Sequence, residues 1–223
     1  MGGCVLTTER LVLRRFAEAD VPELFSMMSD DVVMRFLPWF AHKSEVDTAA
    51  FLEEQYLNYY RAADAGERGV EGMPLDLRFA VCLRDGGDEH AGCSECCASY
   101  HDAADASGLL LGFVKISSEG DAFDLGYAFR RDVWGRGYVT EAALALIEEA
   151  RCAGFPYLTA THDEQNPASG RVMERCGMTY RYSYRERWQP KDFDVVFKLH
   201  QIDLQPGQET YRAYWDRYLE HWA

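Results

Sequence analysis

The sequence predicts an α/β chain built on a mixed, mostly antiparallel sheet with helices on both faces. Three observations carry that expectation. Seven stretches of strand character are bounded by turn residues. Between several of them the apolar spacing changes to the helical period. In the second half the order is strand, Gly-rich turn, helix, strand, helix, which suits a sheet covered on both sides.

Taken in order, Leu11-Val-Leu-Arg-Arg reads as an edge strand. Ala19-Asp20 opens a helix with Pro22 in its first turn and Leu24, Phe25 and Met28 on one side. A second helical stretch runs from about Ser44 to Ala63, with Ser44 as N-cap and an apolar face of Phe51, Leu52, Tyr56, Tyr59 and Tyr60. Gly66, Gly69, Gly72 and Pro74 end it. Strands follow at Arg78–Arg84, Leu109–Ser117 and Asp124–Phe129. Residues 85–108, rich in Gly, Asp, Ala, Ser and Cys, are an insertion too long and polar for an ordinary hairpin. From Thr140 to Ala153, Ala143, Leu146, Ile147 and Ala150 share a helical face that Gly154 terminates. Tyr157–His162 is a strand, and Ala168–Cys176 a helix with Ala168, Val172, Met173 and Cys176 inward and Gly177 as its stop. Met178–Trp188 and Phe193–Ile202 pair as the last strands.

The tail, residues 209–222, reads as a helix with Tyr211, Tyr214, Trp215, Tyr218 and Trp222 along one stripe. So much aromatic surface has to be covered. Docking on its own domain is the preferred reading and a homodimer contact the alternative. With no repeat and no flexible linker, residues 1–223 form one domain carrying one insertion.

Composition narrows the function. The formal net charge of −14 repels phosphate backbones and favours cationic ligands, so nucleic acid is not an expected partner. No apolar run approaches the ~20 residues of a membrane span. The start lacks signal-peptide character, and Leu6 stands where a myristoylated Gly2 would need Ser or Thr. The chain therefore reads as soluble and cytoplasmic. Seven cysteines, an odd number, argue against a disulfide framework. Cys152 and Cys176 read as small core residues. The insertion holds His90, Cys93, Cys96, Cys97 and His101 within twelve residues. Cys93, Cys96, Cys97 and His101 are a potential zinc set, although a polar loop without metal is the preferred reading.

Two motifs carry chemistry. Trp134-Gly-Arg-Gly-Tyr-Val-Thr-Glu-Ala follows a strand and opens a helix. Glycines there let backbone N–H groups converge beside the positive helix end, which suits a pyrophosphate. A Rossmann site is disfavoured, because Thr140 occupies the position of its third glycine. In the second motif, Asn166-Pro-Ala-Ser169, Asn166 caps the next helix and Pro167 sits in its first turn. Alone, each is an ordinary turn or cap.

The two motifs in this order, about 30 residues apart, resemble the GNAT superfamily of N-acetyltransferases, and most of all its RimJ/RimL-like branch. Thr8-Glu-Arg-Leu-Val-Leu-Arg, Leu125-Gly-Tyr, Gly177-Met178 and Arg185-Glu186 add to the likeness, which spans roughly residues 6–200. It implies a single GNAT domain whose two central strands splay to admit acetyl-CoA. The pantetheine arm would pair with Tyr127, Ala128 and Phe129. The pyrophosphate would sit on the amides of Gly135, Arg136, Gly137, Tyr138, Val139 and Thr140, with Trp134, Asn166 and Ser169 also at the cofactor site. The acceptor would be a primary amine: a protein N-terminus, or a polyamine, antibiotic or amino acid. A non-catalytic acetyl-CoA-binding protein is the reading from another class.

Departures from the family pattern shape the site expectations. Val139 is larger than the small residue usual there. Met173 replaces the tyrosine that many members use to protonate the leaving thiolate, which turns attention to Ser169. A general base should titrate near neutrality. Glu186 is the first candidate, Asp124 the second and His162 the third, while Glu141 reads as a carboxylate complementing its helix start.

Overall fold

A computed structural model describes residues 5–84, 108–117 and 122–223. The insertion at 85–108, but for its last residue, and the zinc set Cys93, Cys96, Cys97 and His101 lie outside the described residues. Among the described residues no group of three or more His, Cys, Asp or Glu side chains is placed to hold a metal. No helix among them is long and apolar enough to cross a membrane.

The strands are β1 (Leu6–Thr7), β2 (Leu11–Arg14), β3 (Arg78–Leu83), β4 (Leu110–Ser117), β5 (Asp124–Phe129), β6 (Tyr157–Asp163), β7 (Thr179–Trp188), β8 (Phe193–Asp203) and β9 (His221–Trp222). They form one nine-stranded sheet in the order β1-β2-β3-β4-β5-β6-β8-β7-β9. Every neighbouring pair is antiparallel except β5 and β6. The sheet thus has two strands more than the seven expected. The additions are the two-residue edges β1 and β9, too short to show a period of two. Because β1 pairs with β2, the Leu11 strand is not at the edge.

The helices are α1 (Val21–Met28), α2 (Asp31–Met34), α3 (Glu45–Leu52), α4 (Asn58–Asp64), α5 (Tyr138–Cys152), α6 (Pro167–Arg175) and α7 (Ala213–Arg217). A capping box starts α3: Ser44 Oγ accepts from Asp47 N, and the Asp47 carboxylate accepts from Ser44 N. A π-turn over Glu53–Leu57 joins α3 to α4, so the helix expected from 44 to 63 is interrupted. The wider turn shifts the phase of the face that follows, and Tyr56 and Tyr60 are buried together with Phe51 and Leu52.

The two faces carry different cores. On one, α5 and α6 cover a cluster that includes Leu111, Leu125, Phe129, Leu146, Leu158 and Met173. On the other, α1 to α4 pack over Ala80, Cys82, Phe113 and Ala128. That second face continues over β7 and β8, where Tyr182, Tyr184, Val195, Phe197 and Leu199 meet Tyr211, Tyr214, Trp215 and Tyr218 of the tail. The tail therefore docks on its own domain. It is helical only over Ala213–Arg217 and then becomes β9, so the continuous helix expected over 209–222 is not formed. The reason is visible in its anchors. The buried Gln201 amide accepts from Tyr211 N and donates to the Glu209 carbonyl, while Arg185 N donates to the Glu220 carbonyl. These pin the segment at both ends and leave room for little more than one helical turn. Two other core expectations fail at single residues: Cys152 and Ala168 are exposed, at the solvent side of their helices, whereas Cys176 is buried.

Candidate active site

The parallel contact between β5 and β6 has a single aligned pair, Asp124 with Thr159. Beyond it the strands part, and the fork opens toward Phe129. Its β5 wall has a definite chemistry. Arg130 N donates to the Leu111 carbonyl across the β4 side. In an antiparallel ladder the hydrogen-bonding direction alternates along the chain. The N–H groups of Tyr127 and Phe129 therefore point the other way, into the fork. This is an unpaired polar edge of the length that an amide-bearing pantetheine arm can match. Trp134 Nε1 donates to the Phe129 carbonyl at 2.8 Å and so finishes the upper end of the edge.

Above the fork lies the Gly-rich turn. Gly135 and Gly137 both adopt left-handed backbone, with φ of 75° and 83°. Gly137 is the N-cap of the 15-residue α5, and no side chain caps that helix. The first intrahelical bond runs from Glu141 N to the Gly137 carbonyl, so the N–H groups of Tyr138, Val139 and Thr140 are left for a ligand. Residues 135–140 are wholly or partly open to solvent. An exposed, uncapped helix start behind two left-handed glycines fits a pyrophosphate. Val139 lies in the first turn of α5 and partly buries against the core, which leaves the backbone seat unchanged.

Sequence reasoning missed what holds this seat. Thr8 Oγ1 donates to Glu141 Oε1 at 2.6 Å, and Arg10 N donates to the same oxygen at 2.9 Å. The Arg10 guanidinium pairs with Oε2 and donates to the Arg136 carbonyl at 3.0 Å. Burial opposes ionisation of Glu141, yet these donors hold its carboxyl below the usual range. Glu141 thus ties the β1–β2 hairpin to the turn as well as complementing the helix start. Thr8-Glu-Arg was visible as a motif, but its partner is more than 130 residues away.

Across the fork, Asn166 caps α6 with its side chain accepting from Ser169 N. Ser169 meets β5: the Tyr127 hydroxyl lies 2.9 Å from Ser169 Oγ and 3.1 Å from the Ser169 carbonyl. Met173 is buried in the core, so it contributes packing only. Gly170, one residue on, lies against His162, and a Cβ there would come 2.6 Å from Nε2. Gly170→Ala should therefore push α6 off β6 and cost about 1–3 kcal/mol, read as a lower midpoint in denaturant unfolding. An unchanged midpoint would show that the His162 ring turns aside freely.

The candidate bases separate by face. Side chains alternate along a strand, and Asp124 is level with Thr159. His162 therefore points to the opposite face, toward α6, with Nδ1 on the Asp163 carbonyl at 2.8 Å. Burial lowers its pKa. Asp124 and Glu186 are on the other face. Burial pushes Asp124 up to about 6 against the pull of the Lys115 ammonium, and its Oδ1 is sealed from solvent with no hydrogen-bond partner. Burial likewise lowers Lys115 to about 8, and its Nζ donates to Gln55 Oε1 at 3.2 Å. Burial raises Glu186, opposed by a hydrogen bond from the Tyr218 hydroxyl and the charge of Arg217. Asp124 and Glu186 both act electrostatically on the hydroxyls of Tyr184 and Tyr214. The face of the fork that carries both carboxyls thus also holds Gln55, Lys115 and Tyr218. Lys115 and Tyr218 were not foreseen, because only the three-dimensional arrangement brings them to the carboxyls.

A fork with one polar edge, closed by an uncapped helix start, suits a pantetheine-bearing substrate. The model of the Acetyltransferase (GNAT) domain family matches residues 10–179, and the chain belongs to that family. It is an acetyl-CoA-dependent N-acetyltransferase. It is 38% identical over 184 residues to the uncharacterized protein YkkB of Bacillus subtilis (strain 168), spanning 81% of this chain and 88% of that one. Its fold is similar to that of a GNAT acetyltransferase from Bacillus anthracis, with a TM-score of 0.65, 20% identity and coverage of 90% and 98% of the two chains. It also resembles RimL, the ribosomal L7/L12 alpha-N-protein acetyltransferase, solved with coenzyme A: TM-score 0.63, 13% identity, coverage of 90% and 98%.

Proposed function

We propose that the acetyl acceptor is the α-amino group of a protein or peptide N-terminus, and that Glu186 takes its proton. The observation that supports this is the convergence of two burial-raised carboxyls, Asp124 and Glu186, on the acceptor side of the fork. A base is most effective when its pKa approaches the working pH. Raised carboxylates suit an α-amine, with a pKa of about 7.7–8.0, far better than an alkyl amine near 10.4. The substrate of RimL, an α-amine of a ribosomal protein, is of the same class. Glu186 is the better base of the two because it is only half-buried and can pass the proton on to solvent, whereas Asp124 is held beside Lys115. On this reading the N–H groups of Tyr127 and Phe129 polarise the thioester carbonyl. Ser169 donates to the leaving sulfur, and Gly135 to Thr140 bind the pyrophosphate. The acidity of the chain favours a cationic acceptor and disfavours nucleic acid. Free, buried Cys82 and Cys176 suit a reducing, cytoplasmic setting. The self-docked tail favours a monomer.

Glu186→Gln tests the assignment. At pH 7 kcat/KM should fall by about 100-fold or more. The deficit should shrink toward pH 9, where the α-amine deprotonates without help. A parallel loss at every pH would move the role to Asp124. Turnover of polyamines, antibiotics or amino acids with none on peptides would replace the acceptor class.

A further inference from the structure

Met173 lies where many family members carry a tyrosine, and it faces the core. A tyrosine reaches the same place from the opposite wall. The Tyr127 hydroxyl crosses from β5 to the first turn of α6, 2.9 Å from Ser169 Oγ and 3.1 Å from the Ser169 carbonyl. It links β5 to α6 across the fork.

A phenol and a serine hydroxyl have one hydrogen each, so the 2.9 Å contact between them can be made in two directions. When Tyr127 donates to the Ser169 carbonyl, the serine hydrogen is used up on the Tyr127 oxygen. When Tyr127 donates to Ser169 Oγ, the serine hydrogen is free to turn into the fork. The second arrangement leaves Ser169 both held in place and able to donate to a sulfur carrying the electron pair of the broken C–S bond. Hydrogen bonds in series polarise one another, so the Tyr127 donation strengthens that of Ser169. We infer that Tyr127 is a positioning residue for the leaving thiolate, orienting the Ser169 hydroxyl toward sulfur from the opposite strand. Burial raises the pKa of Tyr127 above the ordinary tyrosine range, so it remains a neutral donor at any working pH. No proton leaves Tyr127. The proton that finally resides on sulfur balances the one taken from the amine.

The inference rests on Ser169 acting on the leaving sulfur, and its test separates the two. The thiol pKa of bound coenzyme A is measured by thiolate absorbance across pH in wild type, Tyr127→Phe, Ser169→Ala and the double variant, with affinity by calorimetry. Phenylalanine keeps the ring and the backbone edge, so affinity for coenzyme A should stay within about threefold. The bound thiol should be more acidic than free coenzyme A in wild type, and that shift should be lost in Tyr127→Phe and in Ser169→Ala. The double variant should show no further loss, since the two hydroxyls act as a unit. With acetyl-CoA and a peptide acceptor, Tyr127→Phe should lower kcat by about 10- to 100-fold at nearly unchanged KM. A Tyr127→Phe variant with the full thiol shift, or losses that add in the double variant, would overturn the role of Tyr127. A wild-type protein that binds coenzyme A without any thiol shift overturns the role of Ser169 and that of Tyr127 with it.

Discussion

Gly137→Asp is expected to abolish detectable acetyl-CoA binding. Gly137 has a φ of 83°, a conformation that disfavours side chains by about 1–2 kcal/mol. Aspartate tolerates it better than most, so strain is the smaller part. The larger part is electrostatic. A carboxylate at the N-cap of α5 would use the helix-start N–H groups itself and repel the pyrophosphate they are meant to bind. A Cβ at this position would also lie 3.4 Å from Arg10 Nη2, so the new carboxylate competes with Glu141 for Arg10. Affinity should fall at least about 100-fold, or about 2.7 kcal/mol. Gly137→Asn has the same shape without the charge and should lose much less. Unchanged affinity of Gly137→Asp in calorimetry would remove the pyrophosphate from this turn.

The second large effect is expected on deleting residues 209–223. The tail covers a continuous aromatic surface. The Tyr184 ring stacks on Tyr218 at 4.9 Å and on Tyr214 at 5.0 Å, while Tyr182 meets Trp215 edge-on at 5.3 Å. Deletion uncovers Tyr182 and Tyr184, removes the tail's two hydrogen bonds to the buried Gln201 amide, leaving only its donation to Asp203, and exposes β7 as an open edge. Removing a single large core aromatic costs about 3–5 kcal/mol. The tail aromatics are only half-buried, so at least about 3 kcal/mol is expected for the set. For a chain of this size that corresponds to about 6–12 °C in Tm. Dye binding to exposed apolar surface should rise at an unchanged, monomeric elution volume. The deletion also removes Tyr218 from Glu186, so residual activity should show a shifted pH–rate profile. A full-length dimer in light scattering, with a stable monomeric truncation, would make the tail an interface instead.

The parts of this molecule that a sequence reveals are those whose determinants are local. Gly135, Gly137 and Asn166 mark the seat and the α6 cap because backbone geometry demands those residue types at those points. The strands β3 to β8 and the helices α1, α5 and α6 carry clear periods. Three features depended on partners far away in sequence and were not legible. β1 and β9 are too short to have a period and exist only as additions to an existing edge. The tail is aromatic enough to read as a helix, yet Gln201 and Arg185 dictate where it bends. The clamp of Thr8 and Arg10 on Glu141, and the contacts of Lys115 and Tyr218 with the two carboxyls, join segments that no spacing rule connects. His162 shows the opposite failure. Its residue type suits a base, but strand alternation turns it away from Asp124 and Glu186.

Acetyl transfer itself is tested most directly by incubating the full-length protein with acetyl-CoA and a panel of peptides with free α-amines. Released thiol is followed beside the mass of each peptide. Thiol release should be matched one for one by peptides acetylated at the α-amine, and both signals should be lost in Glu186→Gln at neutral pH. Tight acetyl-CoA binding with no acetylated product from any peptide or small amine would contradict acetyl transfer.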